Sequence, residues 1–229
     1  MESKRSELIS YSLIRSTRRS IGIIVKTDGS VVVRAPHRAT IKQIEDVLNK
    51  KADWILKHKK KFEDLESSYL KREFIDGEKH LLLGKEYVLR VKIAPYNRVT
   101  LETDFIVVEC KEKLLVKYLI EEWYRQKANE LMPSIMTPLI KKFNDLYNVS
   151  PKKISLKSMK SRWGSCTSNR NISMNIKLIK SEDKCIEYVI AHELCHLIHM
   201  NHSKNFYALL TEFMPDWRDR KIVRDKYII

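Results

Sequence analysis

Two histidines four residues apart with a glutamate between them, His192-Glu193-Leu194-Cys195-His196, are the residues of this 229-residue chain best spaced to do chemistry. Four residues is slightly more than one helical turn. His192 and His196 therefore stand one above the other on a single helix face, where both imidazoles reach one tetrahedral zinc ion at about 2.0–2.1 Å. Glu193 lies about 100° round from His192, within reach of a water held on that ion. Zinc lowers the pKa of such a water to about 7. A neighbouring carboxylate can take its proton during attack on a carbonyl and hand it to the leaving amine.

A catalytic zinc takes three protein ligands and keeps one open position, so a third ligand must be chosen. His199, if the helix continues, stands about 10.5 Å along the axis from His192, too far for both rings to meet one ion. His202, ten residues after His192, returns to the metal if the chain turns sharply after Ile198. Asn201 suits that turn, because asparagine tolerates the left-handed conformation that ends helices, and Asn201 or Ser203 can cap a following helix. The reading is one zinc ion on His192, His196 and His202, with Glu193 as the base.

The elements that position these groups follow from periodicity. Ile190, Leu194, Leu197 and Ile198 form an apolar set that docks the metal helix on a core. Leu8 to about Ala35 is strand-like, with β-branched runs on either side of Thr27-Asp28-Gly29-Ser30, a hairpin signal. Residues 41–66 carry Ile41, Ile44, Leu48, Ala52, Ile55, Phe62 and Leu65 at helical spacing, and Lys50, Lys51, Lys57, Lys59, Lys60 and Lys61 form the wet face. Leu81 to Val91 reads as two strands around a short turn, and Val99 to Val108 as a hairpin. Helical spacing returns from Lys113 to Tyr147, with Leu115, Leu119, Trp123, Leu131, Ile135, Leu139 and Phe143 as core positions and Pro133 and Pro138 expected to kink or divide it. Ile154 to Met159 alternates as a strand, Arg162 to Cys166 reads as a loop, and Ile172, Met174, Ile176 and Leu178 alternate again.

Around the site, Glu187, Glu212, Asp216 and Asp219 are candidate acceptors for a histidine N–H. Arg162, Ser165 and Asn175 are polar groups able to polarise a carbonyl or fix substrate, and Tyr207 can donate to an oxyanion, although no spacing rule assigns them. Cys195 inside the metal helix reads as a small packing residue.

The composition, 43% hydrophobic, supports a real core. With 44 Lys and Arg against 29 Asp and Glu, the formal charge of +15 favours an anionic partner, either nucleic acid or another polyanion, without proving a patch. The four cysteines show no C-x-x-C spacing, which argues against a zinc ribbon or a disulfide framework. No apolar run is long enough for a membrane span or a signal segment, so the expectation is a cytoplasmic protein that does not act at a membrane. Oligomeric state is not legible.

The run His192 to Leu197, followed by Met200-Asn201-His202-Ser203-Lys204-Asn205-Phe206 and preceded by Ser161-Arg162-Trp163-Gly164-Ser165-Cys166 and Asn171-Ile172-Ser173-Met174-Asn175, resembles the YgjP-like metallopeptidases, distant relatives of the SprT-like and WLM-type zinc proteases. The resemblance implies zinc ligation by the two histidines of H-E-x-x-H and the histidine of Asn-His-Ser, and a peptide or protein substrate. The metzincins place a third histidine at the same spacing but with a glycine at the turn, where this chain has His199.

The implied fold is α+β: an N-terminal β-rich module with one packed helix over residues 1–110, then a zincin-like half over 111–229 with a small antiparallel sheet and the H-E-x-x-H helix. In proteases of this plan a strand before the metal helix pairs with extended substrate, a role that falls on about 171–178. Two other functions are carried beside the peptidase. Some members of the family are labelled nucleotide (UTP-type) pyrophosphatases, but the chain has no glycine-rich phosphate cradle and too few carboxylates for a magnesium site. The other is a zinc-containing, nucleic-acid-associated module without catalysis, which would have no need of Glu193.

Overall fold

The computed structural model describes residues 9–26, 29–69, 72–225 and 227. Thr27 and Asp28 of the expected hairpin turn, and the side chains of Lys61, Phe62 and Leu65, lie outside the described residues. The chain divides into two compact units between Lys71 and Arg72.

In the first unit, β1 (Tyr11–Ser16), β2 (Gly22–Val25) and β3 (Val31–Pro36) form a sheet of order β1-β3-β2, with β3 parallel to β1 and antiparallel to β2. Successive side chains of a strand alternate between faces, so Val31, Val33 and Ala35 all point into one core. There they meet Ile44, Leu48, Ala52 and Ile55. Those four come from two helices, α1 (Ile41–Lys50) and α2 (Ala52–Tyr69), rather than the single helix expected over 41–66. Lys51, at φ −112° and ψ 9°, leaves the helical region and separates them. At the other end of α1, Thr40 and Gln43 make a reciprocal capping box.

The second unit begins with β4 (Lys79–Leu82), β5 (Lys85–Ile93), β6 (Arg98–Leu101) and β7 (Phe105–Cys110), in the order β4-β5-β7-β6. Leu83 and Gly84 both take positive φ, 47° and 78°, which is what a two-residue hairpin between β4 and β5 demands. Sequence reading grouped these strands with the N-terminal ones up to residue 110. In the structure Leu89, Ile106, Val108 and Cys110 instead bury their face in the core that holds the long helix α3 (Val116–Tyr147) and the metal helix. An alternating strand shows that one face is buried, but not which element covers it.

Helix α3 runs undivided through Pro133 and Pro138. Each proline costs about 3 kcal/mol in a helix interior. A continuous buried stripe of Ile120, Trp123, Ala128, Met132, Met136 and Phe143 offsets that cost, and a left-handed Asn148 ends the helix. Leu119, Leu131, Ile135 and Leu139, expected in the core, are only partly buried at its margin.

Three strands then precede the site: β8 (Lys153–Lys157), β9 (Gly164–Cys166) and β10 (Asn171–Asn175). Their sheet is mixed, not antiparallel. β10 is its centre, parallel to β8 and antiparallel to β9. Residues 164–166, read as loop from sequence, are the β9 edge. β10 stops at Asn175, whose side chain caps a 3-10 turn over Ile176–Lys180, so the alternation to Leu178 does not continue as strand. The chain closes with α4 (Asp183–Cys195), α5 (Lys204–Phe213) and α6 (Trp217–Arg224). No helix among the described residues is long and apolar enough to cross a membrane.

Candidate metal centre

Helix α4 is buried almost all round. Ile186, Ile190, Ala191, Leu194 and Cys195 are inaccessible to solvent, which marks a core helix more than an amphipathic one. Burial raises the Cys195 thiol to about 12, consistent with a packing role. The helix ends at Cys195, earlier than the apolar pattern suggested. Ile198, expected to help dock it, is 40% exposed.

The ending is what forms the site. Leu197, Ile198 and His199 donate back to Leu194 and Cys195 in a tightened last turn. The chain then reverses through Met200 and Asn201, and Ser203 caps α5 by accepting from the Phe206 N–H at 3.4 Å. The expected left-handed Asn201 is not found: the positive-φ residues other than glycine are Phe74, Leu83, Asn148 and Arg170.

The turn brings His202 back to His192 and His196. The ligand atoms of all three lie within 4.8 Å of one another. Nε2 of His192 is 2.9 Å from Nε2 of His202, against the roughly 3.3 Å separation of two donors on a tetrahedral zinc. Phe206 forms the floor, fully buried, its ring centroid 4.7–4.9 Å from each imidazole. Nδ1 of His196 donates to the carbonyl of His199 at 2.9 Å, which fixes the ring and leaves Nε2 for a metal. That backbone carbonyl is the contribution of His199, whose ring is not in the cluster.

Burial lowers the basicity of His192 to about 3, with the other two imidazoles and the charges of Arg224 and Lys221 adding to it; burial lowers His202 as well. His192 is thus neutral near pH 7, as a ligand must be. The donor set fits a divalent ion of the zinc type: three imidazole nitrogens on one side, with no fourth side chain in the cluster among the described residues.

Glu193 is 5% exposed, and burial raises its carboxyl to about 7, an effect that Arg162 moderates. Its other neighbour is Gly164 on β9. A Cβ built there would stand 2.7 Å from Oε1 of Glu193 and 2.8 Å from Cγ. Only glycine lets the strand pass so close. Trp163, Tyr188, Arg162 and Arg224 join His192 and Glu193 around a cavity of about 240 Å³.

The remaining candidates are employed elsewhere. Glu187 and Asp216 both pair with Arg220, tying α6 to α4. Glu212 accepts from the hydroxyl of Tyr147. Asp219 caps its own turn on Asp216 through its backbone. None of the four accepts from a site histidine among the described residues. Asn175 is buried and donates to the carbonyls of Met159 and Arg162, holding the segment that leads into β9. Tyr207 stacks between His202 and Trp217. Sequence reading missed the Phe206 floor, the close approach of Gly164 and the presence of Arg224. The glycine in Trp163-Gly164-Ser165 was the one available signal, since an isolated strand glycine often marks a close backbone approach.

A family model described as YgjP-like, metallopeptidase domain, matches residues 19–223. Among solved structures, the metallopeptidase zymogen of Methanocaldococcus jannaschii jannalysin is similar over 40% of this chain and 90% of that one, at 21% identity and a TM-score of 0.34. No curated protein matches the chain.

Proposed function

The chain belongs to the YgjP-like metallopeptidase family, and from that premise we propose that it is a zinc-dependent peptidase, with His192, His196 and His202 holding the ion and Glu193 moving the proton. The observation that carries this reading is the convergence of three imidazoles beside one buried carboxyl of raised pKa. Zinc bound there supplies Lewis acidity and brings a water toward ionisation near pH 7.

Glu193 would accept a proton from an attacking water and return it to the leaving nitrogen, since a group with a pKa near the working pH can do both. Gly164 sets where its carboxyl stands. The peptide-pairing role expected of residues 171–178 fails on topology: β10 is flanked on both sides, by β8 and β9. The free edge beside α4 is that of β9, and we assign extended substrate to it, its backbone groups bonding a peptide regardless of sequence.

Replacing Glu193 by Gln is the test. Both proteins should hold one zinc, and only the wild type should cleave unfolded casein. Undiminished proteolysis by the variant removes Glu193 from the mechanism. The pyrophosphatase reading has Arg162 and Arg224 in its favour, both lining the cavity. Turnover of nucleoside triphosphates that is lost with Glu193→Gln, without casein cleavage, would replace the peptidase reading.

A further inference from the structure

We propose that the cavity beside His192 and Glu193, lined by Arg162 and Arg224, selects substrates by a carboxylate. The inference rests on the peptidase reading and names its substrate class: peptides that present an acidic side chain, or a free chain end, next to the bond to be cut.

Size is the first argument. A cavity of about 240 Å³ falls below the roughly 300–1,000 Å³ of pockets that enclose drug-sized molecules. It suits one side chain or one chain terminus. Its walls are aromatic and aliphatic at Trp163, Tyr188 and Val189, surfaces that pack against methylene groups.

Charge is the second. Two guanidiniums line this small space, and the one carboxyl among its lining groups is Glu193, buried and largely committed to proton transfer. Of the other acidic groups on these elements, Glu187 and Asp216 hold Arg220, and Asp225 holds Arg224 through Nε at 2.9 Å and through Nη2. Asp225 and the ring of Tyr188, 5.3 Å from the guanidinium carbon, keep Arg224 in place at the end of α6. Arg162 makes no side-chain hydrogen bond or ion pair among the described residues; its carbonyl is held by Asn175, so the segment carrying it is fixed while its guanidinium is not spent. Arg162 is the guanidinium free to take an entering anion, since its planar fork matches a carboxylate, and Arg224, already shared with Asp225, adds positive charge at the same cavity.

The two sources of a carboxylate are separated by matched peptides. One pair carries Glu or Gln at a single internal position, with both C-termini amidated. The other ends in a free acid or an amide. Each pair is measured twice: by kcat/KM on the zinc-loaded wild type, and by calorimetric titration of the zinc-loaded Glu193→Gln protein, which needs no turnover. One charge-assisted contact at a partly solvated site is worth about a factor of ten. The acidic member of at least one pair should bind and react about tenfold better.

That ratio should shrink toward one in Arg162→Gln and in Arg224→Gln, and recover partly in Arg162→Lys, with zinc content and far-UV circular dichroism checking that each variant is folded. A preference in the first pair assigns an acidic side chain, and one confined to the second assigns a chain end; both support the proposal. Equal binding within both pairs overturns it, as does a ratio unmoved by either arginine substitution. Arginine-dependent binding of tripolyphosphate with no carboxylate preference overturns it too. Preferential binding without any cleavage sinks the peptidase reading and leaves the carboxylate site standing.

Discussion

Replacing Gly164 by Ala should disable the enzyme while leaving the metal in place. Glycine's φ at this position is not in the left-handed region, so the backbone accepts alanine and the nearest obstacle is Glu193. The new Cβ would stand 2.7 Å from Oε1 and 3.0 Å from Cδ, and ordinary contact begins at 3.4 Å. The atoms it meets belong to a side chain, so the carboxyl moves first, by about 0.7 Å. Misplacing a reacting group by about 1 Å costs on the order of 10²-fold in rate. Overpacking adds about 1–3 kcal/mol of destabilisation.

The expectation is a fall of 30- to 100-fold or so in kcat/KM on unfolded casein. One zinc per chain should remain by atomic absorption, and the melting temperature should drop by a few degrees, about 2–4 °C per kcal/mol for a protein of this size. The three atoms nearest the new methyl group all belong to Glu193 and none to a histidine. Wild-type turnover in Gly164→Ala would show that the carboxyl position seen here is not the one that matters. Loss of zinc would show that β9 supports the ligands and not the base.

Three further changes test neighbouring parts of the argument. His202→Ala should weaken zinc by at least about 100-fold in competition with a chelator, since it removes a ligand. His199→Ala should weaken it far less, because alanine keeps the backbone carbonyl that His196 uses; the reverse order would overturn the ligand set. His80, fully buried, has its pKa lowered to about 3, by burial first and then by Arg72 and Lys180, against the opposing carboxylate of Glu78 at 3.2 Å and beside the ring of Tyr124. Its folded pKa lies below the unfolded value of about 6.5, so its stabilising effect is present above pH 6.5 and is lost as pH falls toward 3. Between pH 6.5 and pH 5 that loss is about 2 kcal/mol, read as the change in urea midpoint. His80→Leu should lack this increment, and an equal loss in both proteins would remove His80 as its source.

That His192 and His196 belong to one cluster was legible because helical geometry is local. His192 and His196 are tied by one turn, and His199 is excluded by the rise per residue alone. The means of bringing back His202 was read less well: the helix stops at Cys195 through a tightened turn, not at a left-handed Asn201. Nothing in the spacing distinguishes two reversals that deliver the same residue to the same place. The same limit applies to the fold. Alternation in Phe105 to Cys110 identified a strand but not its partners, so the sheet was grouped with the N-terminal strands when its apolar face packs on α3. Prolines at 133 and 138 argued for a break that the buried stripe of α3 overrides.

What the sequence hides most completely is the wall facing the histidines. Arg162, Gly164, Tyr188 and Arg224 reach the cavity from three separate elements, and no periodicity connects them. Their common dependence is on α4: β9 passes its Glu193 side, and α6 is fastened to it by Arg220 through Glu187. The helix that supplies two of the ligands therefore also sets the distance between the base and the strand edge proposed for substrate, and carries the tether of the arginine on the far wall. A single buried element coupling all three explains why its sides are apolar nearly throughout, and the only carboxyl it buries deeply is Glu193, the group proposed to move the proton.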